Sequence, residues 1–574
     1  MKYLASPELE GRESGQKGNA LAADYLARRF KAAGLKPAGE KGTYYQRFPV
    51  FTGVRLGNGN ALEFRVDGET RRLELGEQFA PLAFSGNGSA GAPVVFAGYG
   101  ISKPELGYDD YAHLDVKGKI VVVLRHTPDN DDEGKFGPFA QLTYKTMTAR
   151  EKGAAGILLL TGPLSEVKED LGVDPAPNGQ GLPRLRYGLA SGSTDCGIPA
   201  AFVSAAQVDE LLAGSGKKLR DLQLTMAHGQ PASFPLEGAT ARVTVRVERQ
   251  TAPTRNVIGL LEGSDPKLKH EVVVVGAHFD HLGHGGAHSL SGNGKPEIHH
   301  GADDNASGTA GLLELAQYFG ANRKKLGRSV LFMGFSGEEM GLLGSNYWTK
   351  HPTIPLERVV AMVNMDMVGR LKDDTFWVIG GGTSPAWKGL LDQVNAKHRF
   401  QMKVGGRSGF GGSDQQSFYA KGIPVLFFFT GVHADYHKPS DTWEKVNADG
   451  AARLFQFVAD SVERVSRLAE RPAFTRSAEE EQAPGPGFRV YLGTIPDYAE
   501  EVEGVMLQGV REGSPAEKAG IRGGDVLVEF DGKKIRNVQE YTVVLSTARP
   551  NVPVKIVVLR KGERIELSIT PAAR

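Results

Sequence analysis

The alternation of short apolar runs with amphipathic stretches in residues 240–468 constrains the fold more than any other feature of the sequence. The apolar runs have the length of buried strands and occupy residues 271–276, 329–335, 359–364, 376–379 and 424–429. Stretches with helical spacing alternate with them, at residues 306–319, 385–397 and 448–468. Strands that alternate with helices favour a mostly parallel sheet with helices on both faces. We therefore predict an α/β fold with a mostly parallel, mixed sheet for this region.

Side chains of the kinds that bind divalent metals follow four of the predicted strands. His278 comes just after the first strand, Glu338 and Glu339 after the second, and Asp366 after the third. His437 follows the last strand by eight residues. Ligand sites in open α/β sheets form beyond the carboxyl ends of the strands, so these side chains are expected to meet at one edge of the sheet. Imidazoles and carboxylates gathered at one place indicate a divalent metal site.

Asp303 and Asp304 stand in the segment 301–308, at the start of the predicted helix 306–319. A carboxylate there is also favoured locally, because it caps the amino end of a helix. Each candidate ligand has an ordinary structural explanation of this kind when taken alone. Such explanations do not account for the presence of so many metal-binding side chains at one edge of the sheet.

The charges agree with a pair of metal ions. Two divalent ions bring four positive charges, three carboxylates supply three negative ones, and a hydroxide completes neutrality.

Five motifs, in the same order along the chain, resemble those of the co-catalytic di-zinc aminopeptidase family. This family includes bacterial leucyl aminopeptidases, glutamate carboxypeptidases and glutaminyl cyclases. The motifs are GAHFDHLG at 276–283, GADDNASG at 301–308, GEEMGLLGS at 337–345, NMDMVG at 364–369 and YHKPSDT at 436–442. The resemblance implies the zinc exopeptidase fold, with the α/β region as its catalytic part.

The resemblance also implies two zinc ions per chain and a set of ligands. In the family pattern, His278 and Asp366 bind one ion, Glu339 and His437 bind the other, and Asp304 bridges the two. Peptide hydrolysis by a hydroxide that bridges the ions is implied as well. A metal ion makes this nucleophile available because it lowers the pKa of bound water from ~15.7 to about 7.

Further roles follow from the same resemblance. Glu338 is the expected general base, which takes a proton from the bridging water and gives it to the leaving amine. Asp280 is expected to hydrogen-bond His278 and fix its tautomer. Tyr436 is a candidate donor to the developing oxyanion, and a purely structural role for it stays open. Many relatives have histidine at the position of Gln415, which is expected to line the substrate side.

Residues 83–235 resemble a protease-associated domain, a β-rich and non-catalytic insert of many exopeptidases. The motifs that carry this resemblance are YDDY at 108–111, DVKGKIV at 115–121 and IPAAFVS at 198–204. The segment SPELEGR at 6–12 resembles the start of the di-zinc family. Residues 1–82 are therefore expected to begin a discontinuous catalytic domain, which resumes at 236 and ends at 470.

Residues 471–487 form a charged and then Pro/Gly-rich linker. Residues 488–574 strongly resemble a bacterial PDZ domain, and the motifs are YLGT at 491–494, GSPAEKAGI at 513–521 and GGDVL at 523–527. One interpretation is that this domain binds a peptide carboxyl terminus by strand addition, with 491–494 as the carboxylate loop. The alternative is that it only packs on the catalytic domain.

Composition excludes several classes of function. The 574 residues carry a formal net charge of +1 and no long Lys/Arg run, so nucleic-acid binding has no electrostatic support. No apolar run approaches the ~20 residues of a transmembrane helix. Cys196 is the only cysteine, which excludes an internal disulfide and a cysteine-based zinc site.

Two loops contain further residues of the kinds that bind metals. For the acidic run 129–133 calcium binding is an alternative, and we favour a solvated loop. For the His- and Gly-rich loop 284–300 extra metal is an alternative, and we favour a flexible rim of the cleft.

The start of the chain has no signal-peptide apolar segment. We expect a periplasmic or secreted protein whose export signal is absent from this sequence, with a cytosolic protein as the alternative.

These observations predict a zinc-dependent exopeptidase, an aminopeptidase that hydrolyses the N-terminal peptide bond of peptides. A carboxypeptidase or dipeptidase on the same di-zinc site is the first alternative. A glutaminyl cyclase, which uses one zinc ion, and an inactive, peptide-binding receptor are the others. All five predicted ligand positions and the predicted base are present, which argues against the receptor.

Overall fold

A computed structural model describes residues 1–129, 135–165, 173–174, 184–185, 195–286, 289–291, 296–405, 408–476, 490–497, 502–511 and 513–573. Three sheets dominate it, with eleven, eight and six strands. Within these ranges, no helix combines the length and the apolar character needed to cross a membrane.

The chain begins with elements that belong to the largest sheet and its core. They are α1 (Lys17–Ala32), β1 (Lys36–Pro37) and β2 (Tyr45–Leu56). Helix α1 buries Leu26 and Phe30 on one face, and Gly34 follows its end with a φ of +77°. These two side chains share one apolar cluster with the strands of the α/β region. The first 56 residues are thus part of that fold, although about 190 residues separate them from its remaining strands.

The next region is built around the eight-stranded sheet. Its elements are β3 (Ala61–Val66), β4 (Glu69–Arg72), β5 (Phe79–Pro81), β6 (Gly88–Ala97), β7 (Ser102–Lys103), β8 (Tyr108–Asp109), β9 (Ile120–Leu124), α2 (Leu142–Glu151), β10 (Gly156–Leu160), β13 (Ala200–Val203), α3 (Ala205–Leu212), α4 (Leu219–Ala227) and β14 (Ser233–Val245), and β7 pairs with β8 in a separate two-stranded sheet. The same stretch of chain also contributes β11 (Val173–Asp174) and β12 (Arg184–Leu185), which belong to the largest sheet because β12 pairs with β2. The strand order of the eight-stranded sheet is β4-β3-β14-β6-β9-β10-β13-β5. This sheet takes strands from both sides of the predicted limits 83 and 235, and we propose 61–245 as the extent of the insert.

The α/β region follows. Its elements are β15 (Val247–Leu261), β16 (Val272–His278), α5 (Gly308–Ala321), β17 (Ser329–Phe335), α6 (Leu343–Lys350), β18 (Val359–Met365), β19 (Thr375–Ile379), α7 (Ala386–His398), β20 (Gln401–Val404), α8 (Gln415–Tyr419), β21 (Val425–Phe429) and α9 (Ala448–Arg467). The order along the sheet is β11-β12-β2-β15-β17-β16-β18-β21-β19-β20, and β1 pairs with β15. The central strands β17, β16, β18 and β21 are mutually parallel, whereas β2 and β15 are antiparallel. The predicted α/β fold with a mixed sheet is confirmed.

Helices cover both faces of this sheet. Phe319 of α5, Trp387 of α7 and Phe457 of α9 lie in one buried cluster with residues of α1. Trp348 of α6 and Phe418 of α8 stack at 5.5 Å between ring centroids in a second cluster on the other face. Because both faces are covered, the carboxyl ends of the parallel strands are the part of the sheet left open for a site.

The C-terminal region contains the six-stranded sheet. Its elements are β22 (Val490–Tyr491), β23 (Thr494–Pro496), β24 (Val505–Val510), α10 (Pro515–Lys518), β25 (Val526–Phe530), β26 (Lys533–Lys534), α11 (Val538–Thr547), β27 (Val554–Arg560), β28 (Glu563–Ile569) and β29 (Ala572–Ala573). The strand order is β23-β24-β25-β27-β28, with β26 on β25. This region contacts the insert through an Arg150–Glu540 ion pair of 2.5 Å. It contacts the α/β region through Asp497, whose carboxylate lies 2.6 Å from Lys350 Nζ.

Candidate metal centre

The predicted metal ligands meet at the carboxyl ends of the central parallel strands. His278 is the last residue of β16, and Asp366 directly follows β18. Glu339 follows β17 by four residues, and Asp304 lies in the irregular turn Ala302–Ser307 before α5. His437 reaches the same place from the loop after β21. The topology brings all five side chains together, as the sequence predicted.

One group of ligand atoms surrounds His278 Nε2. This atom lies 3.4 Å from Asp304 Oδ1 and 3.3 Å from Asp366 Oδ1. His278 Nε2 and Asp366 Oδ1 are buried and have no hydrogen-bond partner within the described residues. Buried polar atoms without a partner are costly, so a shared ligand is the natural explanation for both.

A second group surrounds His437 Nε2. This atom lies 3.2 Å from Asp304 Oδ2 and 3.1 Å from Glu339 Oε2. Asp304 therefore directs one carboxylate oxygen into each group. Zinc bonds of about 2.0–2.1 Å in a tetrahedral arrangement place neighbouring ligand atoms about 3.3 Å apart. The distances from each imidazole to its two carboxylates have this spacing, so each group could hold a zinc ion.

The electrostatics of the centre follow from its burial. Burial raises the pKa of Glu338 well above its usual range, and the carboxylates of Glu339 and Asp366 add to this effect while His278 opposes it. Burial alone would also raise the pKa of Asp304, but the nearby imidazoles of His278, His437 and His281 hold that pKa well below its usual range. Neighbouring carboxylates thus differ in their tendency to hold a proton. The pKa of Glu338 is raised and the pKa of Asp304 is lowered.

Two predicted roles meet a different geometry. The Asp280 carboxylate lies 3.7 Å from His278 Nδ1, beyond hydrogen-bond distance, and the backbone carbonyl of Asp280 lies closer to this nitrogen, at 3.3 Å. Asp280 Oδ1 instead accepts a hydrogen bond of 3.2 Å from the backbone N–H of Glu338. The ring of Tyr436 stacks on that of His437, with centroids 3.9 Å apart. The expected roles of both residues stay predictions.

Asp303 faces away from the two ligand groups. Its Oδ1 accepts a hydrogen bond of 2.6 Å from the backbone N–H of Gly369, and its Oδ2 lies 3.2 Å from His433 Nε2. Asp441 Oδ2 accepts from the backbone N–H groups of Asp303 and Asp304, at 2.8 and 3.2 Å. Asp441 thus holds the turn that carries Asp304.

Gln415 does not line the substrate side, contrary to the prediction. Its side chain is fully buried, its Oε1 accepts a hydrogen bond of 3.1 Å from Asn364, and its Nε2 donates to the Gly411 carbonyl at 2.6 Å. The amide finds both partners inside the protein because helix α8 begins at this residue and points it toward β18.

The structure describes only part of the two loops that the sequence offered as further metal sites, 284–300 and 129–133. In loop 284–300, His299 is buried and bonds to Ser289 Oγ at 2.7 Å and to the Glu297 carbonyl at 2.8 Å, so both of its nitrogens are engaged. Residues 287–288 and 292–295 of this loop lie outside the described residues. The acidic run 129–133 does so too, except for Asp129.

Sequence reasoning missed two residues of the centre. His281 Nδ1 lies 2.6 Å from Glu339 Oε1. Arg12 is fully buried and donates hydrogen bonds to the carbonyls of Leu4, Phe279, His300 and Gly301. His281 stands in the motif at 276–283, three residues after His278, and this closeness in sequence to a predicted ligand could have indicated that it lies near the centre. Arg12 ends the segment 6–12 that resembles the start of the family, but this resemblance does not indicate its hydrogen-bond partners.

Comparison with known proteins agrees with this organisation. Residues 256–462 match peptidase family M28, residues 80–211 match the PA domain, and residues 479–570 match the PDZ domain. A probable leucine aminopeptidase of Arthroderma benhamiae is 30% identical over 190 residues, which are 32% of this chain and 50% of that protein. The aminopeptidase YwaD of Bacillus subtilis is 27% identical over 386 residues, or 64% of this chain and 67% of that protein.

The chain spans about half the length of the fungal relative. Among solved structures, an aminopeptidase from Aneurinibacillus sp. strain AM-1 is 22% identical, with a TM-score of 0.46 over 84% of this chain and 96% of that one. The match over residues 256–462 includes all five predicted metal ligands. Residues 256–462 belong to peptidase family M28, and the chain carries a PA domain at 80–211 and a PDZ domain at 479–570.

Proposed function

We propose that the protein is a zinc aminopeptidase that removes the N-terminal residue of peptides with two zinc ions. The observation that carries this proposal is the shared carboxylate of Asp304, whose two oxygens belong to two ligand groups with zinc spacing. His278, Asp366 and Asp304 Oδ1 would hold one ion, and Glu339, His437 and Asp304 Oδ2 the other. Zinc, when bound, acidifies a water molecule and polarises a peptide carbonyl.

Glu338 is the general base of this proposal. Its Oε2 lies 3.9 Å from His278 Nε2, at the edge of the first ligand group. Burial raises its pKa well above the usual range, so its carboxylate is prepared to take a proton from the attacking water. The same oxygen then returns the proton to the leaving amine. The hydrogen bond between Asp280 and the Glu338 backbone fixes the segment that carries this base.

Charge around the centre favours an N-terminal amine over a C-terminal carboxylate. Carboxylates outnumber cationic side chains among the groups described above, which suits a substrate with a free, cationic α-amine. Arg370 and Arg407 are the arginines that could meet a substrate carboxylate near the centre. Arg370 follows Asp366 by four residues. Its Nη2 lies 3.0 Å from Asp441 and 3.4 Å from Asp435, so its charge is already paired. Arg407 lies outside the described residues. The aminopeptidase names of the two relatives agree with this choice.

Substrates with a free or a blocked N-terminus test the proposal directly. We expect aminoacyl-nitroanilides to be hydrolysed and N-acetylated peptides to be resistant, with activity lost on chelation and restored by zinc. Metal analysis should give two zinc ions per chain. Cleavage of the blocked peptide from its carboxyl end would favour a carboxypeptidase, and a single zinc ion with cyclisation of N-terminal glutamine would favour a glutaminyl cyclase. A protein that binds peptides without cleaving any would be a receptor.

Glu338→Gln tests the base. The variant should keep both zinc ions, because Glu338 is not in either ligand group, and should lose activity by roughly 10²–10⁴-fold, the usual contribution of a general base. Glu444→Gln is a suitable control, since Glu444 is exposed in the same part of the fold. Activity of the Glu338→Gln variant near that of the control would contradict the assignment.

The remaining predictions stay part of the proposal. The PDZ domain is proposed to bind a peptide carboxyl terminus or to pack on the catalytic domain, and the contacts of Asp497 favour packing. A periplasmic or secreted location stays a prediction, which fractionation of the native cells would test.

A further inference from the structure

Glu339 directs its two carboxylate oxygens to two different imidazoles. Oε2 lies 3.1 Å from His437 Nε2, inside the second ligand group. Oε1 lies 2.6 Å from His281 Nδ1, a hydrogen-bond distance. His281 Nδ1 is also 3.9 Å from Asp304 Oδ2, too far for a hydrogen bond. The contact with Glu339 is therefore the one that the imidazole nitrogen makes with the centre.

The backbone around His281 holds its ring in this place. The N–H of His281 donates to the Arg12 carbonyl at 3.3 Å, and the side chain is 1% exposed. Gly301 lies against the ring, and a Cβ at this position would come 2.5 Å from the ring carbon Cγ. Gly301 also has a φ of +54°, a conformation that glycine adopts without strain. Arg12 donates to the Gly301 carbonyl at 2.9 Å, which fixes the backbone beneath the ring.

The chemistry of the two groups assigns the proton between them. A charged carboxylate only accepts hydrogen bonds, so Nδ1 of His281 must carry the hydrogen. A charge-assisted bond of this length orients the carboxylate firmly. With Oε1 held by His281, Oε2 is the oxygen that faces His437 Nε2 and completes the second ligand group. Partners of this kind orient metal-binding carboxylates and tune the affinity of the site.

We propose that His281 is a positioning residue for the second metal ion, because its Nδ1–H holds Glu339 Oε1 and so directs Oε2 to the metal. This inference rests on the proposed function, since it assumes that Glu339 and His437 hold an ion. It adds a histidine that the family's ligand pattern does not contain. It also explains why glycine at position 301 is needed, because the ring occupies the space of any side chain there.

Two substitutions separate the hydrogen bond from the volume of the ring. His281→Asn keeps an N–H donor near the position of Nδ1, whereas His281→Leu keeps the apolar volume and removes the donor. His299→Leu is the matched control, because His299 is also buried in this region but bonds to Ser289 and Glu297. Zinc affinities are measured by chelator competition, and the visible spectrum of the cobalt(II)-loaded protein reports ligand geometry.

We expect His281→Leu to lose about 10–100-fold in affinity for one of its two zinc ions, as removal of an orienting partner does elsewhere. The other ion should bind as in the wild type, and the cobalt(II) spectrum should change only in the contribution of the weakened ion. His281→Asn should recover most of the lost affinity. Circular dichroism of the metal-free proteins shows whether each variant is folded. If His281→Leu is unfolded, the zinc affinities of His281→Asn and of the control His299→Leu are compared instead.

Three results would overturn the inference. The first is a His281→Leu variant that binds both zinc ions with wild-type affinity. The second is a His299→Leu variant that loses as much zinc affinity as His281→Leu. The third is a His281→Asn variant that binds zinc as weakly as a folded His281→Leu variant. The last result would make His281 a direct ligand. The fate of the proposed function is read separately, from the wild type. If the wild type binds two zinc ions but hydrolyses no aminoacyl-nitroanilide, the function fails and the positioning role is still measured.

Discussion

Asp303 and Asp304 are adjacent carboxylates with different surroundings, and the difference predicts different effects of the same substitution. Asp304 directs one oxygen to each ligand group, whereas Asp303 bonds to Gly369 and His433. We expect Asp304→Asn to weaken the binding of both zinc ions. Asp303→Asn should lower zinc affinity by no more than about 10–100-fold, the loss seen when a hydrogen-bond partner of a metal ligand is removed. Zinc titration of both variants measures this difference, and greater metal loss in Asp303→Asn would reverse the assignment of the bridge.

At the scale of elements, Arg12 joins three segments that are distant in sequence. Its guanidinium donates to the carbonyls of Phe279, His300 and Gly301, at 2.8, 2.8 and 2.9 Å. Phe279 follows the proposed ligand His278, and Gly301 precedes the turn with Asp304. The chain before α1 therefore holds the two loops that carry the proposed ligands His278 and Asp304. Burial lowers the pKa of Arg12 to about 10, and the carboxylates of Asp280 and Asp304 oppose this shift, so the group stays charged at neutral pH.

Removing this guanidinium should destabilise the fold even without metal. Arg12→Met leaves several buried carbonyls without a donor, and each such group costs about 1–3 kcal/mol. We expect a loss of at least about 3 kcal/mol, seen as a lower urea midpoint in the presence of chelator. Arg12→Lys keeps the charge but not the planar fork of donors, so it should recover only part of the loss. A midpoint of Arg12→Met within error of the wild type would show that other groups hold these loops.

The regular elements of the α/β region and the meeting of the five candidate ligands could be predicted from the sequence, whereas the contacts of His281 and Arg12 could not. The run 271–276 became β16 (Val272–His278) because a continuous apolar stretch between polar loops fits only a buried strand. Helices α6 and α8 were missed because they are short and have mixed composition, and the stacking of Trp348 on Phe418 stabilises them. His281 and Arg12 depend on partners about 58 and 267 residues away, and no local pattern reports such contacts.

At the scale of the whole molecule, the PDZ domain is held between the two other domains. Arg150 of the insert pairs with Glu540, and Asp497 accepts a 2.7 Å hydrogen bond from Asn346 Nδ2 besides its pair with Lys350. Ile495 of β23 shares a buried apolar cluster with Phe410 of the α/β region. The loop that begins near Phe410 continues to Ser413, whose Oγ accepts a 2.9 Å hydrogen bond from Asn364 next to the metal centre. The position of the PDZ domain is thereby connected to the loop that contacts Asn364.

This connection predicts how a loosened PDZ domain affects activity. Asp497→Ala removes a buried partner of Lys350, a change that costs about 3–5 kcal/mol when a buried pair is broken. Because the domain supports a loop of the centre, kcat/KM should fall by the same factor for a dipeptide substrate and for a long peptide. Glu503→Ala is the control, since Glu503 is exposed and pairs with Lys534 inside the PDZ domain. If the domain instead captures substrates, the loss would be confined to the long peptide, and limited proteolysis of the linker would show whether the domain had detached.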